Sequence, residues 1–404
     1  MNVLVIGNGF DIEHGIPSSY RNFLDFIKIF KSIYGLRDSL KNINVNERKY
    51  FYGNKLTSIS NMYRDVFCLW DTCKPIESHM SEFYDMINNN LWINYFLNPI
   101  SQLEEKNNWV DIEAEILHII QMLTENRELN FDAVEMNAIN EKKETFLVTI
   151  AERLFGGEHG QQSMNQTKIA YWTKMKSMLA ADFSNLIRAL EIYLDYFVDF
   201  TKVKNSYIFD GIAFDRIITF NYTDIYHKLY NSTIAMDFIH GKADYKRDML
   251  QSNVVLGIEE FLAADQKNND LEFISYRKYY QRIAKRCDFS YRKYLEKNKD
   301  SLDVWIFGHS VASSDRDILT NLLPSSDLAI LSANTTKSCT RKTYICYYNQ
   351  QALEQQIVNL VRILGQDALN DLVCGANPKI EFVAQKDFNK KRHITMNETR
   401  SFKI

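Results

Sequence analysis

The chain is poor in the residues that punctuate a fold, with 5 prolines and 14 glycines in 404 residues. No Gly/Ser-rich or charge-run linker is present, so domain boundaries must be read from changes of hydrophobic period. The 6 cysteines (Cys68, Cys73, Cys287, Cys339, Cys346 and Cys374) include no Cys-x-x-Cys pair. Zinc ribbons and thioredoxin-type motifs both need such pairs, so no metal is expected. A disulfide framework is not expected in so long a chain without an export signal. Val3-Leu4-Val5-Ile6 runs directly into Gly7, with no basic segment and apolar stretch before it. No run is long and apolar enough to span a bilayer. A cytoplasmic protein with no membrane partner is expected. Basic excess is also missing: 48 Lys and Arg face 51 Asp and Glu, a net charge of −3. That argues against a general nucleic-acid-binding role.

What is abundant is apolar and aromatic, at 46% and 13% of residues, which suits large filled cores. Residues 1–6 read as a buried strand. From about residue 20 to 205 the pattern is helical, most clearly where Met175, Leu179, Phe183, Leu186, Leu190, Leu194 and Phe197 recur at three- and four-residue steps. From about residue 207, short apolar runs alternate with turns or helices, at 216–220, 236–239, 253–256, 304–307, 328–331, 343–347 and 380–383. Near-continuous apolar strands of this kind imply a parallel sheet covered on both faces. Leu353, Ile357, Leu360 and Leu364, ending at Gly365, predict a crossover helix with a glycine stop. The expected fold is α/β, a Rossmann-like parallel sheet with a large, mainly helical insertion. Residues 1–19 and 206–404 would form the nucleotide-binding domain, residues 20–205 the insertion, and residues 3–6 a central strand.

The first strand ends in Gly7-Asn8-Gly9-Phe10-Asp11. Glycines there allow positive φ and close approach of a phosphate, and a following helix aims its N-terminal dipole at the same anion. The dinucleotide fingerprint wants a third glycine where Ile12 stands, and a tight strand-to-helix turn without ligand is the plain alternative. Gly15-Ile16-Pro17 follows at a fixed spacing. Three further motifs stand at predicted strand ends: Thr219-Phe220-Asn221-Tyr222-Thr223-Asp224, Ile239-His240-Gly241 and Gly308-His309-Ser310. Ligands of open α/β sheets bind at strand carboxyl ends, so the set would converge on one crevice.

This ordered set resembles the signature of sirtuin-like NAD-binding domains. Together with Ser18-Ser19-Tyr20, Trp109-x-Asp111-Ile112-Glu113 and Asp315 to Asp317, it is most similar to the AbiH family of bacterial abortive-infection factors. The resemblance implies an antiviral effector that binds NAD or a related nucleotide and hydrolyses NAD to nicotinamide and ADP-ribose. Its trigger would be phage-derived and unknown, and homo-oligomerisation is left open. The four-cysteine zinc module of protein-deacylating sirtuins is absent. Thr223 stands where the Thr-x-Asn-x-Asp motif has its aspartate, with Asp224 one step later.

On this reading Gly7, Asn8, Gly9, Phe10, Asp11, Thr219, Asp224, Gly308 and Ser310 contact the cofactor. Asn221 orients a water or the ribose, and His240 is the general base, a role worth ~10²–10⁴-fold. Glu113 is a further acid/base candidate. Plainer readings stand beside these. Asn221 could cap a helix, His240-Gly241 could be a turn, and Asp315 and Asp317 could cap a helix start. Residues 109–115 could be a solvated acidic helix start. Gly308-His309-Ser310-Val311-Ala312 also looks like a degraded nucleophile elbow, for which His393 is the only histidine downstream. A non-catalytic nucleotide sensor signalling through the insertion is the rival from another class. The basic–aromatic stretch from Tyr276 to Tyr294 is the only support for a nucleic-acid effector.

Overall fold

The computed structural model describes residues 1–98, 111–125, 146–147, 149–150, 153–154, 168–203, 208–209, 213–263, 265–298, 302–325 and 341–388. Trp109, the run 328–331, Cys339 and His393 lie outside these residues. The chain divides into two compact units. One comprises Met1–Ile16, Phe200–Lys242 and Arg282–Ile404, the other Pro17–Asp199 and Ala243–Gln281.

The first unit is built on six parallel strands: β1 (Asn2–Ile6), β2 (Arg216–Thr219), β3 (Met236–Phe238), β4 (Asp303–Phe307), β5 (Thr343–Tyr347) and β6 (Ile380–Ala384). They lie in the order β3-β2-β1-β4-β5-β6, so β1 is central as its unbroken apolar sequence predicts. This is the order of doubly wound dinucleotide-binding sheets, whose direction of winding reverses between β1 and β4. Both faces are covered. Val3, Val5, Ile218, Val304 and Ile306 pack with Leu319, Leu322 and Leu360 on one side. Phe10, Phe209, Phe307, Trp305 and Phe388 form an aromatic layer on the other.

The helix Gln350–Leu364 stops at Gly365, whose φ of +87° closes it. Its inner face differs from the expected apolar stripe. Gln356, Asn359 and Leu360 are buried, whereas Ile357 is exposed. The two amides face inward because they hold backbone carbonyls of the loop after β4. Gln356 Nε2 donates to His309 O and Asn359 Nδ2 donates to Ser310 O, at 3.0 and 2.9 Å.

The second unit is mainly helical. The heptad-like stripe from Met175 to Phe197 is buried along the helix Lys168–Ile192 and the π-helical turn Tyr193–Phe197 that continues it. Phe26, Phe30, Phe67, Phe83 and Phe197 stack around one another in its core. The predicted strand at residues 253–256 is not one. Val254, Val255 and Leu256 are fully buried, but the backbone of Leu256 is paired by a side chain. Leu256 N donates to Gln281 Oε1 at 3.2 Å and Leu256 O accepts from Gln281 Nε2 at 2.6 Å. An amide side chain thus takes the place of a neighbouring strand. This segment, read from sequence as part of the α/β body, falls with Ala243–Gln281 in the second unit.

Candidate functional site

The loops after β1 and β4 meet backbone to backbone at the winding reversal. Gly7 N donates to Phe307 O at 3.0 Å, Gly9 N to Gly308 O at 2.8 Å, and Phe10 N back to Gly7 O at 2.9 Å. A Cβ on Gly7 would stand 2.7 Å from His309 Cα, and one on Gly9 2.7 Å from Gly308 Cα. These glycines therefore permit the contact of two loops, and their amides are occupied. Of Gly7, Gly9 and their neighbours, expected to cradle a pyrophosphate, the amides of Gly7, Gly9 and Phe10 are engaged by the chain itself. The Phe10 ring is likewise committed to the core, against His14, Phe209 and Phe307.

A second bracket joins the loops after β1 and β2. The Asp11 carboxylate is buried; its Oδ1 accepts from Asn221 Nδ2 at 2.9 Å and its Oδ2 from Thr223 Oγ1 at 2.7 Å. Asn221 Nδ2 also donates to Gly7 O at 3.0 Å. Two acceptors on one side fix which end of the amide faces inward. Asn221 Oδ1 accepts no hydrogen bond among the described residues. Asn221 is not a helix cap: the helix after β2 spans Ile225–Leu229, with Asp224 at its N-cap position. Thr219 lies fully buried, with its hydroxyl accepting from Asn221 N at 3.0 Å. Thr223, where the sirtuin-like motif would have an aspartate, donates instead to the Asp11 carboxylate.

The third cluster was only half visible in the sequence. His240, just past β3, lies with Nε2 2.9 Å from Asp315 Oδ1, and His309 Nε2 is 3.7 Å from Asp315 Oδ2. All three side chains are buried. Asp315 occupies the N-cap position of the helix Arg316–Leu322, yet makes no side-chain cap bond. The Phe220 ring packs on both imidazoles, with centroids 4.1 Å from His309 and 5.4 Å from His240. The signal for this cluster was present as a histidine in each of two strand-end motifs, but an aspartate at a helix start reads first as a cap.

The remaining candidates are placed differently. Asp224 pairs with Lys242 Nζ at 2.5 Å and His227 Nδ1 at 2.7 Å. Ser310 is exposed, and its Oγ makes no hydrogen bond among the described residues. His14, behind the β1 turn, has its imidazole pushed below its ordinary value by burial, with Phe10 O and Glu13 opposing. Glu113 belongs to the second unit, where it pairs with buried Lys278 at 2.7 Å and accepts from Tyr20 Oη at 3.1 Å. Its neighbour Asp111 caps the helix, Oδ1 accepting from Ala114 N at 3.0 Å. In the basic–aromatic stretch Arg277 is bound to Glu260, Lys278 to Glu113 and Arg282 to Asp317. All three are buried, so they are not offered to phosphates. No group of three or more His, Cys, Asp or Glu residues with metal-binding geometry occurs among the described residues. No helix there is long and apolar enough to cross a membrane.

No curated protein matches the chain. A family profile described as "Bacteriophage abortive infection AbiH" matches residues 3–332, which takes in β1 to β4 and every member of the three clusters. With most of its length matched, including the strand-end loops described above, the chain belongs to the AbiH family of bacteriophage abortive-infection proteins.

Proposed function

We propose that this abortive-infection protein binds NAD or a related nucleotide at the carboxyl edge of the first unit's sheet and cleaves the nicotinamide–ribose bond with water. The observation that carries the reading is the pairing of Asn221 and His240 at the ends of the adjacent strands β2 and β3, each held by a buried aspartate. Asn221 Oδ1 is an acceptor suited to a ribose hydroxyl or a water. His240, its Nε2 on Asp315 Oδ1, is placed to take up a proton as general base. Little more is needed, because the leaving nicotinamide is already cationic and departs as a neutral base. Asn8, Asp224, Gly308 and Ser310 are the contacts proposed for the rest of the nucleotide, with Gly7, Gly9 and Asp11 shaping the turn from behind.

The test is incubation of the purified chain with NAD, with and without extract of phage-infected cells, following nicotinamide and ADP-ribose. Release that is lost in His240→Ala supports the reading; binding without release in both conditions overturns it. A non-catalytic sensor, binding the nucleotide in the same crevice without releasing nicotinamide, is the second reading.

A further inference from the structure

We propose that Asp315 is the positioning residue of this site, holding His240 in the tautomer protonated on Nε2 so that Nδ1 is the ring's basic nitrogen. The inference rests on the reading of His240 as a base, but the arrangement itself is structural. Asp315 stands where an aspartate ordinarily caps a helix, and its side chain declines that role. It turns inward instead, 5% exposed, and accepts from His240 Nε2 at 2.9 Å. A buried carboxylate costs several kcal/mol unless it is well paired. A merely structural helix start would gain more from capping at the surface.

His309 flanks the other side of the carboxylate, its Nε2 3.7 Å from Asp315 Oδ2, too far for a hydrogen bond. Its Nδ1 accepts from Val311 N at 2.9 Å, so in the neutral ring the proton is on Nε2, the nitrogen facing Asp315 Oδ2. The loop carrying His309 is over-determined. Val311, β-branched and buried, is held at φ +48°, a left-handed conformation that such residues rarely adopt. Gln356 and Asn359 hold the carbonyls of His309 and Ser310. These bonds hold the loop that carries His309.

In the reaction, a water oxygen bonds to the anomeric carbon as the carbon–nitrogen bond breaks. The bonding pair leaves with nicotinamide, which becomes neutral. The proton lost by the water goes to His240 Nδ1, and Asp315 stabilises the imidazolium that forms.

The experiment uses the full chain with ¹⁵N-labelled histidine, His240 being assigned by His240→Gln. Spectra at alkaline pH, where the rings are neutral, report which nitrogen carries the proton. We expect His240 protonated on Nε2 in the wild type and a mixture of tautomers in Asp315→Asn. Nicotinamide release in that variant should fall ~10²–10⁴-fold in kcat with KM little changed. A wild-type His240 protonated on Nδ1 overturns the proposal even if Asp315→Asn does not fold. An unchanged tautomer, or an unchanged kcat, in the folded variant also overturns it. If the wild type releases no nicotinamide, the functional reading fails by itself, and the tautomer spectra still decide the role of Asp315.

Discussion

Gly9 and Gly308 touch: the amide of the first donates to the carbonyl of the second at 2.8 Å, and neither has room for a side chain. A Cβ on Gly308 would lie 2.4 Å from Phe10 N, and Gly308 holds φ +66° besides. The contact ties the ends of β1 and β4 together at the reversal of the sheet, where an open α/β fold places its ligand.

Gly308→Ala should accordingly destabilise the chain by at least ~2 kcal/mol, combining left-handed strain with the clash. Gly9→Val should do the same through Gly308 Cα. Urea unfolding is the measurement. With the loops in contact, stability is the quantity expected to fall. A Gly9→Val protein as stable as wild type would show that the loops do not meet.

Asn221→Ala and His240→Ala should each lower NAD turnover by at least ~10²-fold, and the double variant should be scarcely worse than the poorer single one. Asn221→Ala should also cost about 1–3 kcal/mol, because the buried Asp11 loses a donor. Nicotinamide release and urea unfolding, read on the same preparations, separate the two effects. Wild-type turnover in both folded singles would favour the sensor.

Glu113→Gln should destabilise the second unit, since Lys278 is 3% exposed and loses the carboxylate 2.7 Å from its Nζ. Restoring neutrality with Glu113→Gln/Lys278→Met should recover most of that loss. Thermal unfolding of the three proteins tests the pair, and full stability of the single variant would refute the role assigned to Glu113.

Stability should fall on acidification through His14. Burial lowers its pKa in the folded chain below the ordinary value near 6.5. The unfolded chain therefore binds more protons once the pH drops under about 6.5, and the folded state loses ground from there down to the lowered folded pKa. Unfolding midpoints measured between pH 7.5 and 5 should decline, and His14→Gln should flatten that part of the profile. An identical slope in the variant would assign the decline to other groups.

Much of this architecture was set locally and could be read without coordinates. Buried strands announce themselves by apolar runs, which is why residues 304–307, 343–347 and 380–383 fall within or on β4, β5 and β6. The stripe from Met175 to Phe197 and the stop at Gly365 follow from helix periodicity and from a backbone angle that glycine adopts without strain. The local pattern fails at 253–256 because burial alone does not say what pairs the backbone, and there Gln281 does. On the helix Gln350–Leu364 it fails at Ile357, which is exposed, while Gln356 and Asn359 face inward to hold a loop.

What only the tertiary structure decided is which polar groups meet. Asp11 and Asn221 are 210 residues apart in sequence, and His240 and Asp315 are 75 apart. Sequence places each at a strand end or helix start, where capping and turn formation are adequate accounts of an isolated residue. Only the strand order β3-β2-β1-β4 brings the loops together, so that each buried carboxylate must take its donors from a neighbouring loop. The type of each residue is chosen locally, but the cost of burying a charge is met by whichever chain segment the sheet sets beside it.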